Sequence, residues 1–153
     1  MTLRAEESGG GAKWRIRVGL DVMDFPGTLE ELTRRIGVRP DRALKAGERI
    51  GASVKRRTAD RWCIDAPADD DLSLQEQLLA LLKRVSPLAP QLSELPPPTT
   101  VTISCGILDY TRGVALNFER EVVAAIAEMK ASLDIDYYDM SSTVTDHPGQ
   151  SSQ

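Results

Sequence analysis

The sequence predicts an α+β domain in which a mixed, mainly antiparallel sheet of four to five strands carries about three helices packed on one face. Three observations lead there. Apolar residues alternate with polar or small ones in Trp14–Val22, Thr100–Ile107 and Leu133–Tyr138, the period of a strand with one packed and one wet face. Two capping boxes, Thr28-Leu-Glu-Glu31 and Ser73-Leu-Gln-Glu76, open segments with apolar residues at helical spacing. Half-buried strands and amphipathic helices satisfy each other when all the helices cover one face of the sheet.

In chain order, Trp14, Ile16, Val18, Leu20 and Val22 form the buried side of a first strand, which Phe25-Pro26-Gly27 breaks. A short helix follows over about 29–36, with Leu29, Leu32 and Ile36 on one stripe and Gly37 as its left-handed stop. Residues 38–60 read as a basic, glycine-bearing loop, with tight bends at Gly47 and Gly51. Arg61–Asp65 is a short strand with Trp62 and Ile64 on one face, ended by Pro67. The second capping box starts a helix over about 74–85, with Leu74, Leu78, Leu81, Leu82 and Val85 as its apolar stripe. Pro87 and Pro90 close it. A short segment with Leu88, Leu92 and Leu95 then leads to Pro96-Pro97-Pro98, read as a stiff extended spacer.

The next strand points Val101, Ile103, Cys105 and Ile107 inward. Residues 109–113 read as a turn and Val114–Leu116 as a short strand. Asn117 is the expected cap of a helix over about 118–131 that buries Phe118, Val122, Ala125, Ile126 and Met129. In the last strand Leu133, Ile135 and Tyr137 face in, while Asp134, Asp136 and Tyr138 face out. The chain shows no internal repeat.

The 153 residues suit one domain, expected over 14–140, between a flexible polar leader (1–13) and a Ser-, Thr-, Gln- and Pro-bearing tail (141–153) expected to be disordered. With 41% apolar and 27% charged residues the composition is that of an ordinary globular protein. No apolar run approaches the roughly 18 residues that span a bilayer, and the leader lacks a secretion-signal pattern. A cytoplasmic location is therefore expected, with Cys63 and Cys105 as reduced thiols.

The net charge of −4 argues against general nucleic-acid binding. The charge is unevenly spread: residues 39–61 hold eight basic groups against three acids, and residues 62–76 hold five acids and no base. Either the two segments neutralise each other, or the first binds an anion.

Several features together resemble the bacterial DUF4279 family. They are Arg42, Lys45 and Gly47 after Pro40, the following strand with Trp62, the Ser73 helix and the Leu-Asp-Ile-Asp-Tyr-Tyr ending. The resemblance spans roughly 16–139. It implies a small stand-alone bacterial domain and brings no activity, cofactor or catalytic residue. In the family an aromatic often precedes the basic residue near Lys45. Leu44 stands there in this chain, which weakens any stacking site.

Candidate chemistry is sparse. The loop bearing Arg42, Lys45 and Arg49 could hold an oxyanion through its basic side chains, but it lacks the Gly-x-x-x-x-Gly-Lys spacing of a phosphate loop. Asp134 and Asp136 share a strand face and could pair as acid and base. Alternatively, ion pairs to Arg15 and Arg17 of the first strand account for all four. Trp62 is a core residue or a stacking ring for a ligand. Cys63, of opposite parity, is expected on the outer face, where Arg61 could lower its pKa. The only histidine is His147, beyond the fold, so Cys–His and serine triads are unsupported, and neither a metal site nor a cofactor is expected.

Three function classes follow. The first, preferred, is a non-enzymatic binding or protein-interaction module of immunity or adaptor type. The second is a small domain or enzyme that binds an anion or nucleotide through loop 40–57, with Asp134 or Asp136 assisting. The third is a structural homodimer. The expected partner is accordingly a protein or a small anionic ligand.

Overall fold

The local signals become regular elements in the structure, a computed structural model that describes residues 14–109, 111 and 116–143. The strands are β1 (Trp14–Met23), β2 (Arg42–Leu44), β3 (Arg61–Asp65), β4 (Thr100–Asp109) and β5 (Ser132–Asp139). The helices are α1 (Leu29–Ile36), α2 (Leu74–Val85), α3 (Ala89–Ser93) and α4 (Arg120–Glu128).

Both capping boxes form. Thr28 Oγ1 accepts from Glu31 N–H while the Glu31 carboxylate accepts from Thr28 N–H, and Ser73 and Glu76 repeat the exchange. Gly37 ends α1 at φ 89°, a left-handed conformation that costs a residue without a Cβ little.

The strands make one sheet in the order β2-β3-β1-β4-β5. All neighbours are antiparallel except β4 and β5, which are parallel and joined across α4. One face carries the core: Ile16, Val18, Leu20 and Val22 of β1, Trp62 and Ile64 of β3, and Val101, Ile103, Cys105 and Ile107 of β4. Leu29, Leu32 and Ile36 of α1, the apolar stripe of α2, and Val122, Ile126 and Met129 at α4 pack onto this face. The mixed α+β architecture is as expected.

Several expectations need correction. Loop 38–60 contains β2, three residues that owe their strand to pairing with β3, and an Arg49–Arg56 bridge. The helix expected over 118–131 spans Arg120–Glu128. Its N-cap is Glu119, which makes no side-chain cap bond, because Phe118 packs against the core in the approach to the helix. The Pro96–Pro98 spacer is a turn, closed by Thr99 N–H to the Pro96 carbonyl at 3.0 Å and containing a cis Pro97–Pro98 peptide. Of the expected 114–116 strand only Leu116 is described, and it lies in no strand. The 1–13 leader and residues 144–153, with His147, lie outside the described residues.

One buried group falls at the start of the stretch expected to be a turn. Asp109 continues the inward parity of β4 and is fully buried. Its carboxylate accepts from Thr111 N–H and Oγ1–H and from the Tyr137 hydroxyl. That contact pushes the Tyr137 phenol up to about 12.

Candidate functional site

Among the described residues no helix packs on the second face of the sheet, the side to which the alternate strand positions point. Cross-strand register arranges it in rows: Arg42–Cys63–Asp21–Thr102, then Asp65–Gly19–Ser104–Asp134, then Arg17–Gly106–Asp136. Glycine interrupts the rows twice, on the adjacent strands β1 and β4. Gly19 and Gly106 leave a floor without side chains, and glycine inside a strand often marks close approach of a ligand or backbone. A cavity of about 460 Å³ lies over it. Arg17, Arg42 and Arg61 rim it, Asp21, Asp65 and Ser104 add polar groups, and Ala66 and Ala68 of the β3–α2 loop form a side wall.

Most of the charges in this cavity are already paired. Arg42 forms a two-point ion pair with Asp65, Nε to Oδ2 and Nη2 to Oδ1, both at 2.8 Å. This bond holds Arg42 firmly protonated. Arg17 Nη1 donates to Asp70 Oδ1 at 2.7 Å and to the Ile16 carbonyl at 2.8 Å. The Asp70 loop is also held from below, where buried Gln77 donates through Nε2 to the carbonyls of Asp69 and Leu72. Nearby, Arg84 clamps Asp41 at 2.5 and 2.6 Å, and Asp65 N–H donates to the same carboxylate at 2.8 Å. The Arg84 bond holds the Asp41 carboxyl below its ordinary range, against the opposing effect of burial.

Asp21 and Arg61 differ from these pairs. Asp21 is only 8% exposed. Its Oδ2 accepts from the Ser104 hydroxyl at 2.9 Å, and its Oδ1 accepts from no N–H or O–H among the described residues. Arg61 stands 3.8 Å from Asp21 Oδ2, beyond hydrogen-bond distance, and its guanidinium donates to no described residue.

The residues singled out from the sequence do not all meet here. Arg42 lines the cavity. Lys45 and Arg49 are on the 45–60 excursion, outside the lining, where Lys45 N–H donates to Glu48 and Arg49 bridges Arg56. Asp134 and Asp136 sit beside Ser104 and Gly106 on β5, exposed at the margin of the face. Their expected ion pairs with Arg15 and Arg17 do not form, because β4 separates β1 from β5 and Arg17 takes Asp70. Trp62 cannot stack on a ligand in the cavity: it is fully buried in the core, its Nε1–H donating to Thr33 Oγ1 at 3.1 Å. The Arg42–Asp65 pair shows the basic and acidic segments neutralising each other at this point.

Cys63 also departs from expectation. It has the outward parity expected but is fully buried. Its neighbours on that face are Arg42, Arg61, Asp21 and Asp65, whose long side chains and ion pairs roof it over. Burial pushes its thiol up to about 12, and Asp21 adds to the push, outweighing the pull of Arg42 and Arg61. Cys105, in the core, is also pushed up to about 12 by burial. Neither thiol of the native protein should therefore react with a chromogenic disulfide at pH 8, whereas both react once denaturant is added. Rapid native labelling of Cys63 would contradict the roof.

Two other cavities adjoin the turn before β4. One, of about 240 Å³, lies beside Phe25 and Pro96 and borrows the capping Glu31. The other, of about 360 Å³, lies beside Leu92 and Pro98 and has Lys130 as its single charged group. The first is also lined by Arg35, so that with Glu31 it holds one charge of each sign, whereas five charged side chains line the open sheet face. Among the described residues no cluster of three His, Cys, Asp or Glu could hold a metal, and no helix is long and apolar enough to cross a membrane.

A family model described as a domain of unknown function, DUF4279, matches residues 13–140, nearly all of the described fold. No curated protein and no solved structure matches the chain.

Proposed function

The chain belongs to the DUF4279 family, and from that premise we propose that it is a binding module whose open sheet face receives a small polar ligand. The observation that carries this reading is the cavity of about 460 Å³ over Gly19 and Gly106, lined by arginine and aspartate side chains. Its volume falls in the range of small-molecule sites, about 300–1,000 Å³. A protein partner would instead need about 800 Å² of surface, and the charged groups here converge on a concavity. Glycine at 106 has no packing reason, since a Cβ there would meet nothing within 4 Å. Space for a ligand supplies one. Binding is favoured over catalysis by the state of the charges: Arg42 and Arg17 are locked to carboxylates, an arrangement that orients but does not exchange protons.

The test is amide NMR with a panel of small carboxylic acids, phosphates, amines and zwitterions. Members that bind should move the amides of Gly19, Asp21, Ser104 and Gly106. Gly106→Leu fills the floor without a backbone clash, so it should abolish these shifts while leaving the melting temperature within a few degrees. Shifts that persist in Gly106→Leu, or that map elsewhere, would remove the site from this face.

A further inference from the structure

Resting on that reading of the open face, we propose that the ligand carries an α-amino acid head group, an ammonium beside a carboxylate. The argument starts from the Asp21 and Arg61 side chains, which stand side by side at one end of the cavity without satisfying each other. Their closest approach is 3.8 Å. Asp21, a largely buried acid, gives Oδ2 to the Ser104 hydroxyl, and no described N–H or O–H reaches its Oδ1, which is left to accept from a ligand in the cavity. Arg61 keeps its whole fork of donors, on a side chain 38% exposed.

The group that completes both must offer a cationic donor to Asp21 and an anionic acceptor to Arg61 within a few bonds. An α-amino acid does so: its ammonium reaches Asp21 Oδ1, and its carboxylate takes the Arg61 fork, the geometry in which guanidinium binds carboxylate best. A plain anion or a nucleotide phosphate would satisfy Arg61 and repel Asp21. The overall balance points the same way, since Arg17, Arg42 and Arg61 face Asp21, Asp65 and Asp70, three charges of each sign. The amino acid side chain then runs over the glycine floor.

The experiment titrates the full chain with the twenty α-amino acids and with inorganic phosphate, following the amides of Gly19, Ser104 and Gly106. The best amino acid is then compared with its N-acetyl derivative, which lacks the ammonium, and with its amide, which lacks the carboxylate. Each modification should weaken binding at least tenfold. Asp21→Asn should weaken the free amino acid at least tenfold but leave the N-acetyl derivative unchanged, and Arg61→Gln should do the same with respect to the amide. Should Asp21→Asn fail to fold, the comparison of modified ligands on the native protein still decides. Equal binding of all three forms, or phosphate binding at these amides that Asp21→Asn does not alter, would overturn the head-group assignment and leave the cavity as a site. If none of these compounds moves these amides while other small polar molecules do, the assignment again falls and the site remains. If nothing binds there, both readings fall.

Discussion

Replacing Trp62 with Ala should cost the domain about 3–5 kcal/mol, the range for removing a buried aromatic side chain from a core. Trp62 is fully buried and lies on β3, the strand next to the central one. Its ring belongs to the core between sheet and helices, and its indole N–H binds Thr33 of α1 at 3.1 Å. The truncation therefore leaves a cavity and unties β3 from α1 together. Against a typical total stability of about 5–15 kcal/mol, the loss should lower the melting temperature by roughly 10–20 °C. Trp62→Phe keeps much of the ring volume and loses the hydrogen bond, so it should cost less, about 1–2 kcal/mol. Chemical denaturation of the three proteins checks the order. A Trp62→Ala protein within 1 kcal/mol of the parent would mean that the tryptophan is not packed in the core.

The second large effect distinguishes the two glycines under the cavity. A Cβ at Gly19 would stand 3.1 Å from Asp65 Oδ1 and 3.3 Å from the Ile64 carbonyl oxygen. Neither can retreat cheaply, because Asp65 is held at two points by Arg42 and the carbonyl belongs to the neighbouring strand backbone. Gly19→Val should therefore destabilise by about 1–3 kcal/mol, as overpacking does. Gly106 faces open space, so Gly106→Val trades a flexible residue for a strand former and should stabilise by about 0.5–1 kcal/mol. The same substitution at neighbouring positions of one floor thus changes stability in opposite directions, read as a shift of denaturation midpoint at constant slope. If both were destabilising by the same amount, Gly106 would have a packing role and the open floor would be wrong.

The fold was legible wherever a local signal decided it. Alternation marks β1, β4 and β5 because pleat parity is a property of a few consecutive residues, and the capping boxes at Thr28 and Ser73 mark α1 and α2 for the same reason. What was not legible depends on partners distant in the chain. Arg42–Leu44 has no strand pattern of its own and becomes β2 through β3. The outward parity of Cys63 was readable, but its burial also needs Arg42 and Asp21, which only the strand order brings beside it. The pairing of Asp134 and Asp136 with Arg15 and Arg17 failed because no local pattern says that β4 lies between them.

The site was the least legible part. Of the residues singled out as ligand contacts, only Arg42 lines the cavity. Gly19 and Gly106 are far apart in sequence, and they form one floor only because β1 and β4 are neighbours. A signal was present all the same: glycine inside an alternating strand, at both positions, marks a place where something approaches the backbone. Asp21, an acid between the buried apolar residues Leu20 and Val22 of β1, was the other.

The position of β5 has a consequence for molecules of this chain meeting one another. Among the described residues it is an outer strand, neighboured by β4 alone, and such an edge is a template for further strands. Asp134, Asp136 and Asp139 punctuate it. A second copy aligning there would set rows of carboxylates against each other, and this repulsion disfavours growth of the sheet past its fifth strand.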